Sequence, residues 1–491
     1  VIVGFLISAC TTRSDRNASK EKGDKGKRPN ILLIVSEDNG PHLSCYGDPV
    51  IKTPNLDNIA EKGILFRNAY VTQAVSSPSR SSILTGLYPH QNGHLGLATH
   101  GYHFVGKVRN IYQIMKDAGY RTGMIGKLHL NPESDFPIDF HPIKGSNFEK
   151  KGLAGYSEFA GNFINESDDP FFLMVNFPDA HFPFQDTVEN RPAKVVDPEN
   201  VKVFPYIGFE NERLKKINSN IYNCMLRLDE CVGELMNKLS DSGKEDNTIV
   251  IYLGDHGCQM ARAKIWVYEA SDKIPFIVKW KGKVKEGIQS DALISTIDIV
   301  PTLCEVLGVE IPDKVSGKSL LPLFNNPDLK FREHMFVERN CDAREFYFPQ
   351  RAIRDGRYKL IYTLLNDRKD PAVLLYTGKT PHPAYRGTLT QEELKSAPQN
   401  IIDTYNTWLQ PPELQLYDLQ NDPWEFKNLA NKPGYEKIRD ELFEKLKKWQ
   451  VDTDDPLRFP ERLKALTTEH DTIITSSKRN NWLYPKYLYD Q

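Results

Sequence analysis

Continuous apolar runs alternate with amphipathic stretches along the first two thirds of the chain. Asn30 to Ser36 (NILLIVS) and Thr248 to Leu253 (TIVIYL) show no polar alternation, so each is expected to be a strand buried on both faces, as in a parallel sheet covered by helices. Further strands are expected over 64–71, 122–125, 171–177 and 275–280. Thr53-Pro54 supplies a cap and a first-turn proline for a helix reaching Lys62. Other helices are expected over 108–118, where Gly119 ends the pattern, and over 297–307. The clearest helix covers 210–239, with Ile217, Ile221, Met225, Leu228, Val232 and Leu235 on one stripe. Beyond residue 335 the texture changes to short strands over 358–364 and 414–417, a turn at Gln420-Asn421-Asp422-Pro423, and a charged helix over 435–450. This order predicts an α/β protein with a mostly parallel central sheet over residues 28–335 and a smaller α+β domain over 336–491.

The first 27 residues read differently. Val1 to Ala9 is apolar and uncharged and ends Ile7-Ser8-Ala9-Cys10, which resembles a bacterial lipobox; a Lys-rich tether follows. The expectation is a lipoprotein of the periplasm or cell surface, held by lipid at Cys10, since the run is too short to span a bilayer. A net charge of −2 over 491 residues argues against nucleic-acid binding, which shows as a basic domain. Seven cysteines occur without any CxxC spacing; with Cys10 lipidated, the other six are expected to be mostly buried free thiols.

The chemistry-bearing residues lie where the predicted strands end, which is where open α/β sheets bind ligands. The first strand runs into Glu37-Asp38-Asn39-Gly40 and the strand at 248–253 into Gly254-Asp255-His256-Gly257. Either segment alone also reads as a simple turn; together they supply oxygens for one hard cation. Ser76-Ser77-Pro78-Ser79-Arg80, with Leu84-Thr85-Gly86, also suits a helix start. Gly126-Lys127-Leu128-His129, Asp179-Ala180-His181 and Lys264 add cations and imidazoles at further strand ends and loops.

These segments, in this order, resemble the type I sulfatases, whose signature is Cys or Ser, any residue, Pro-Ser-Arg, three further residues and Leu-Thr-Gly. The resemblance implies an alkaline-phosphatase-like fold and oxidation of Ser76 to formylglycine by a maturation enzyme able to act on serine. It also implies one calcium ion held by Glu37, Asp38, Asp255, His256 and the modified Ser76. Glu37 departs from the commoner Asp. By the same resemblance Lys127 and Lys264 hold the sulfonate oxygens, His181 is the general acid, His129 the base that releases sulfate, and Arg80 a clamp on the modified residue.

Within the family, Tyr88-Pro89-His90-Gln91-Asn92-Gly93, Lys107-Val108-Arg109 and Thr453-Asp454-Asp455-Pro456 are similar to the sulfamidases, which remove N-sulfate from glucosamine of heparan. His100 and His103 are then expected to line the sugar pocket, and Arg351, in Phe348-Pro349-Gln350-Arg351, to meet a second anionic group. An exo-acting O-sulfatase on another sulfated polysaccharide shares every one of these catalytic residues. A zinc phosphohydrolase of the same superfamily fits the Pro-Ser-Arg context less well, and a non-catalytic glycan-binding lipoprotein needs no oxidation of Ser76.

Overall fold

The computed structural model describes residues 28–378, 387–475 and 488; the Cys10 anchor expected from sequence lies outside them. Eight strands form the larger sheet: β1 (Asn30–Ser36), β2 (Ile64–Tyr70), β3 (Arg121–Ile125), β4 (Phe171–Phe177), β5 (Thr248–Gly254), β6 (Lys273–Ile274), β7 (Phe276–Lys279) and β8 (Ile288–Ser295). Their order is β3-β4-β1-β5-β7-β2-β6, with β8 also on β2. The β3–β4, β4–β1, β1–β5 and β2–β8 pairs are parallel, whereas β7 runs antiparallel to both β5 and β2. The strand expected over 275–280 is β7; Pro275, which has no N–H to give a ladder, separates it from the short β6 before it.

β1 shows why its sequence lacks alternation. Leu32 and Ile34 enter one hydrophobic cluster, with the Glu212–Asp241 and Ala154–Asn165 helices, while Ile31, Leu33 and Val35 enter another, with the Ile111–Asp117 and Ile299–Leu307 helices. Both faces of the sheet are therefore dry, and polar groups are left for its edges and strand ends.

Register then brings the strand ends level. Ser36 pairs with Phe177 on one side and Gly254 on the other, so Glu37, Pro178 and Asp255 leave the sheet together. On β3, Ile125 pairs with Val175, which delivers Gly126 and Lys127 beside Asn176. Gly126 has φ +91°, and a Cβ there would lie 2.4 Å from the Asn176 carbonyl oxygen, so only glycine permits this turn.

A second, antiparallel sheet has the order β12-β11-β10-β9, from β9 (Met335–Arg339), β10 (Gln350–Arg354), β11 (Tyr358–Thr363) and β12 (Leu414–Asp418). The Glu436–Asp452 helix packs Leu442, Leu446 and Trp449 onto Ile353, Leu360 and Leu416 of that sheet. Among the described residues six cysteines are free, five buried and Cys45 half-buried.

Arg351 corrects an expectation. It is fully buried in β10; its Nε and one terminal nitrogen donate to Asp455 at 2.7 and 3.0 Å, and the other donates to the Arg339 and Gln350 carbonyls and Asn340 Oδ1. A guanidinium so enclosed and occupied does not reach a sugar. It instead joins Asp455 to Glu338, which in turn binds His90 Nδ1 at 2.6 Å, so the pair fastens the smaller domain to the larger. Replacing Asp455 by Ala leaves a buried cation unpaired and is expected to cost about 3–5 kcal/mol of stability in denaturant unfolding. A loss below ~1 kcal/mol, the scale of an exposed pair, would contradict this role.

Candidate active site

Ser76 is the first residue of the Ser76–Thr85 helix, which follows β2 and is buried along its whole length. Its hydroxyl lies 3.2 Å from His256 Nε2 and 3.5 Å from Lys127 Nζ. His256 Nδ1 donates to the Gly257 carbonyl at 3.0 Å, which turns Nε2 toward Ser76. The same Nε2 is 3.5 Å from Asp38 Oδ1 and 3.7 Å from Asp255 Oδ1. Ser79, one turn along, donates to the Asp255 carbonyl at 2.6 Å and so fixes the helix start to the end of β5.

Arg80 is the hub of the site. One terminal nitrogen donates to Asn176 Oδ1 at 2.6 Å and to the Lys127 carbonyl at 3.0 Å; the other donates to Asp255 Oδ2 at 3.1 Å. It is wholly buried, so it orients the ends of β3, β4 and β5 and has no surface to offer a substrate. Asn176 was not singled out in the sequence. A lone amide in the otherwise apolar FFLMVNF strand is the signal that marks it.

Four further charges complete the centre. Lys264 Nζ donates to both Asp38 oxygens, at 3.0 and 2.9 Å, and Lys127 Nζ to Glu37 Oε2 at 2.7 Å. Burial pushes the Asp38 carboxyl up, but the positive charge beside it, the Lys264 ammonium foremost, outweighs it and holds the group below the ordinary range. Asp255 is lowered likewise, with burial overcome by His256, Arg80 and Lys127. For Glu37 burial wins over Lys127 and Arg80, and its carboxyl lies above the ordinary value.

Asp38, Asp255 and His256 offer one ligand atom each, all buried and all within 4.8 Å of one another. Two ionised carboxylates and an imidazole lone pair suit a divalent cation. Glu37, expected among the ligands, is not in this group: its longer side chain carries it to Lys127.

The two histidines expected to act in catalysis, His129 and His181, have different settings. His129, at φ +58°, is half-buried; its Nδ1 is buried without a partner and Nε2 lies 3.4 Å from Thr99 Oγ1. Burial, reinforced by Lys127 and Arg80, lowers its pKa to about 2, so the ring is neutral and only weakly basic in the free protein. His181 donates from Nδ1 to the Phe182 carbonyl at 2.6 Å, and burial lowers it to about 3 against the pull of Asp38. At neutral pH its Nε2 therefore carries a lone pair, and a general-acid role requires a proton gained from the acid side.

The loop bearing His181 is clamped by residues that carry no sequence signal. Lys150 Nζ donates to the His181 and Pro183 carbonyls at 2.8 and 2.7 Å, and Arg227 grips Asp179 with two bonds of 2.7 Å. Phe148, 45% exposed, stacks on the His181 ring at 4.4 Å. His100 and His103 are half-buried on the loop that carries Thr99 to His129; the His100 carbonyl accepts from Arg344 at 2.6 Å and His103 Nδ1 contacts the Phe104 carbonyl at 2.7 Å.

The sulfatase family profile matches residues 29–309, and the profile described as N-sulphoglucosamine sulphohydrolase, C-terminal, matches residues 254–379. An ulvan-active sulfatase of Formosa agariphila is 30% identical, covering 99% of this chain and 96% of its own. The N-sulphoglucosamine sulphohydrolase of Homo sapiens is 28% identical, covering 87% and 91%. Among solved structures, one in complex with its substrate D-glucosamine-2-N,6-O-disulfate superposes with a TM-score of 0.65 at 21% identity, over 87% of this chain and 99% of that one.

Binding of a divalent cation to Asp38, Asp255 and His256 should stabilise the fold by mass action, about 2.7 kcal/mol at one hundred times the dissociation constant. The expected result is a calcium-dependent rise in melting temperature that disappears in Asp255→Ala. An unchanged melting temperature of the chelated wild type on adding calcium would contradict it.

Proposed function

The chain belongs to the sulfatase family, and from that premise we propose that it removes the N-sulfate from a non-reducing-end glucosamine of heparin or heparan sulfate. Hydrolysis of a sulfated glycan is the coarser reading, supported by the ulvan-active and N-sulphoglucosamine relatives. The N-sulfate reading is carried by the match of residues 254–379 to the C-terminal part of the N-sulphoglucosamine sulphohydrolases. Similarity to an ulvan-active enzyme at 30% identity supports the second reading, an exo-acting O-sulfatase on another sulfated polysaccharide.

In the proposed chemistry Ser76 is converted to formylglycine by a serine-type maturase, and calcium at Asp38, Asp255 and His256 supplies Lewis acidity and a fixed positive charge. The rest falls to the chain's own residues. Lys127 and Lys264 receive the sulfonate oxygens, giving stabilisation where negative charge builds during transfer. His256 Nε2, 3.2 Å from the Ser76 oxygen, would hold the cation beside that oxygen. His181 protonates the departing nitrogen, and neutral His129 takes up the proton released when sulfate leaves. Phe148 and the Lys150 clamp hold His181 in place and limit its access to water. A lipid anchor at Cys10 would place this activity in the periplasm or at the cell surface, with the maturase and the glycan as its partners and no nucleic acid.

Mass spectrometry of the Ser76 peptide is expected to show loss of two hydrogens after expression with a serine-type maturase. An unmodified peptide from protein that still releases sulfate would contradict the proposed nucleophile. A substrate comparison tests the specificity. Turnover of N-sulfoglucosamine and not of 6-O-sulfated N-acetylglucosamine is expected, and the reverse would favour the second reading.

The acid dependence follows from His181. Its pKa in the free protein lies near 3, so between pH 8 and 5 the protonated fraction increases about tenfold for each unit of fall. kcat/KM for the sulfamate should rise toward acid over that range, and the slope should flatten in His181→Ala. An alkaline limb that persists unchanged in the variant would contradict His181 as the proton donor.

A further inference from the structure

A second cleft lies between the two domains, away from the chemistry. Its volume is about 420 Å³, within the range of ligand sites, and none of Ser76, Lys127, His129, His181, Asp255 or His256 lines it. One wall comes from the larger domain, with His42, Asn68, Tyr206, Glu269 and Lys273; the other comes from the smaller, with Arg354, Arg357 and Trp424.

The lining is cationic and aromatic together. It contains three cations and one carboxylate. Arg354 is nearly buried and paired with Glu269 at 3.1 Å, and Arg357 is gripped by Asp418 at 2.7 and 3.0 Å. Lys273 Nζ meets only the Asn68 amide oxygen, at 3.3 Å; among the described residues it has no carboxylate partner. Trp424 is half-buried at 5.8 Å from the Tyr206 ring, so part of its indole borders the space. Pro41, His42 and Trp424 also border a wider cleft of about 1220 Å³ of mixed charge, which continues past Lys52, Lys194 and Lys202 and past Asp48, Asp197, Asp229 and Glu230. The space is thus elongated, as a chain-like ligand needs.

We propose that this cleft binds a second, non-reacting unit of a sulfated saccharide, with an anionic group on Lys273 and Arg354 and a sugar face against Trp424. The chemistry selects this ligand class. An indole face stacks on the C–H face of a pyranose, and a half-buried cation without a carboxylate partner favours a sulfate or carboxylate. A neutral sugar would leave Lys273 unanswered, and a lone inorganic anion would leave the aromatic wall unused. The inference rests on the reading that the protein acts on sulfated glycans, and it adds an anchoring site that holds a longer chain while its end is processed.

The test uses the full chain carrying Ser76→Ala, so that no sulfate is removed, with a heparin hexasaccharide and the same hexasaccharide fully desulfated. Hydrogen exchange of segments 354–357 and 419–424 should slow with the sulfated probe only. Lys273→Ala and Trp424→Ala in that background should each weaken binding about tenfold, or ~1.4 kcal/mol, and abolish the protection. Lys273→Gln, a smaller change at a half-buried position, checks that lost binding is not lost folding, through an unaltered melting temperature. In the active enzyme Lys273→Ala should raise KM for the hexasaccharide about tenfold relative to the monosaccharide N-sulfoglucosamine. Equal protection by the desulfated probe, or no protection of these segments at saturation, would overturn the proposal. Protection without any turnover would overturn the catalytic reading and leave this site standing. Turnover with no effect of either substitution would do the opposite.

Discussion

Arg80 is the interaction on which the rest of the site depends. It is buried without access to water, and its guanidinium is answered by Asp255, Asn176 and the Lys127 carbonyl, each delivered by a different strand. An unpaired cation in such a place costs several kcal/mol, so the strands must end level for the helix that carries Arg80 to seat at all. Once it is seated, Ser76 stands at the helix start beside His256, and the buried carboxylates Glu37, Asp38 and Asp255 are matched by Lys127, Lys264 and Arg80. A centre with this balance is preorganised: its charges are fixed by the fold before any anion arrives.

Much of this architecture is legible in the sequence because burial on both faces leaves an unmistakable trace. β1, β4 and β5 lack polar alternation, and the residues that follow them are the acidic and histidine-bearing segments. The long helix is equally clear from its stripe, differing by two residues at each end. β8, with exposed Gln289 and Asp291 in its first half, and the Ala154–Asn165 helix, with glycines at 155 and 161, carry mixed signals and go unseen. Motif spacing finds the residues that do chemistry and misses those that hold them. Lys150 reaches three acceptors around the His181 loop, yet as a single lysine in a loop it looks like any surface residue. Arg351 is the converse, a cation near a motif whose partner, Asp455, is 104 positions away and invisible without the fold.

The electrostatics of the two histidines refine the chemistry inherited from the family pattern. Both are deprived of water and set among ammonium groups, so neither is protonated in the free protein near neutrality. For His129, proposed to receive a proton, the ring is in the unprotonated state but needs negative charge nearby to become an effective base. For His181, proposed to give one, the sulfo group of a substrate must supply the negative charge that favours protonation, or the medium must be acidic. The division of labour between two imidazoles thus depends on what each faces: Asp38 for His181, only cations for His129.

The account's central claim is that Ser76 becomes the reacting group only after oxidation, in a pocket otherwise complete. Its most direct test is sulfate release, measured by ion chromatography, from N-sulfoglucosamine by protein produced with and without a serine-type maturase, each with bound calcium verified. The account predicts release only from the matured protein, with the two preparations equal in melting temperature and in calcium content. Equal rates of release from both would contradict it and assign the attack to an unmodified Ser76 or to another group.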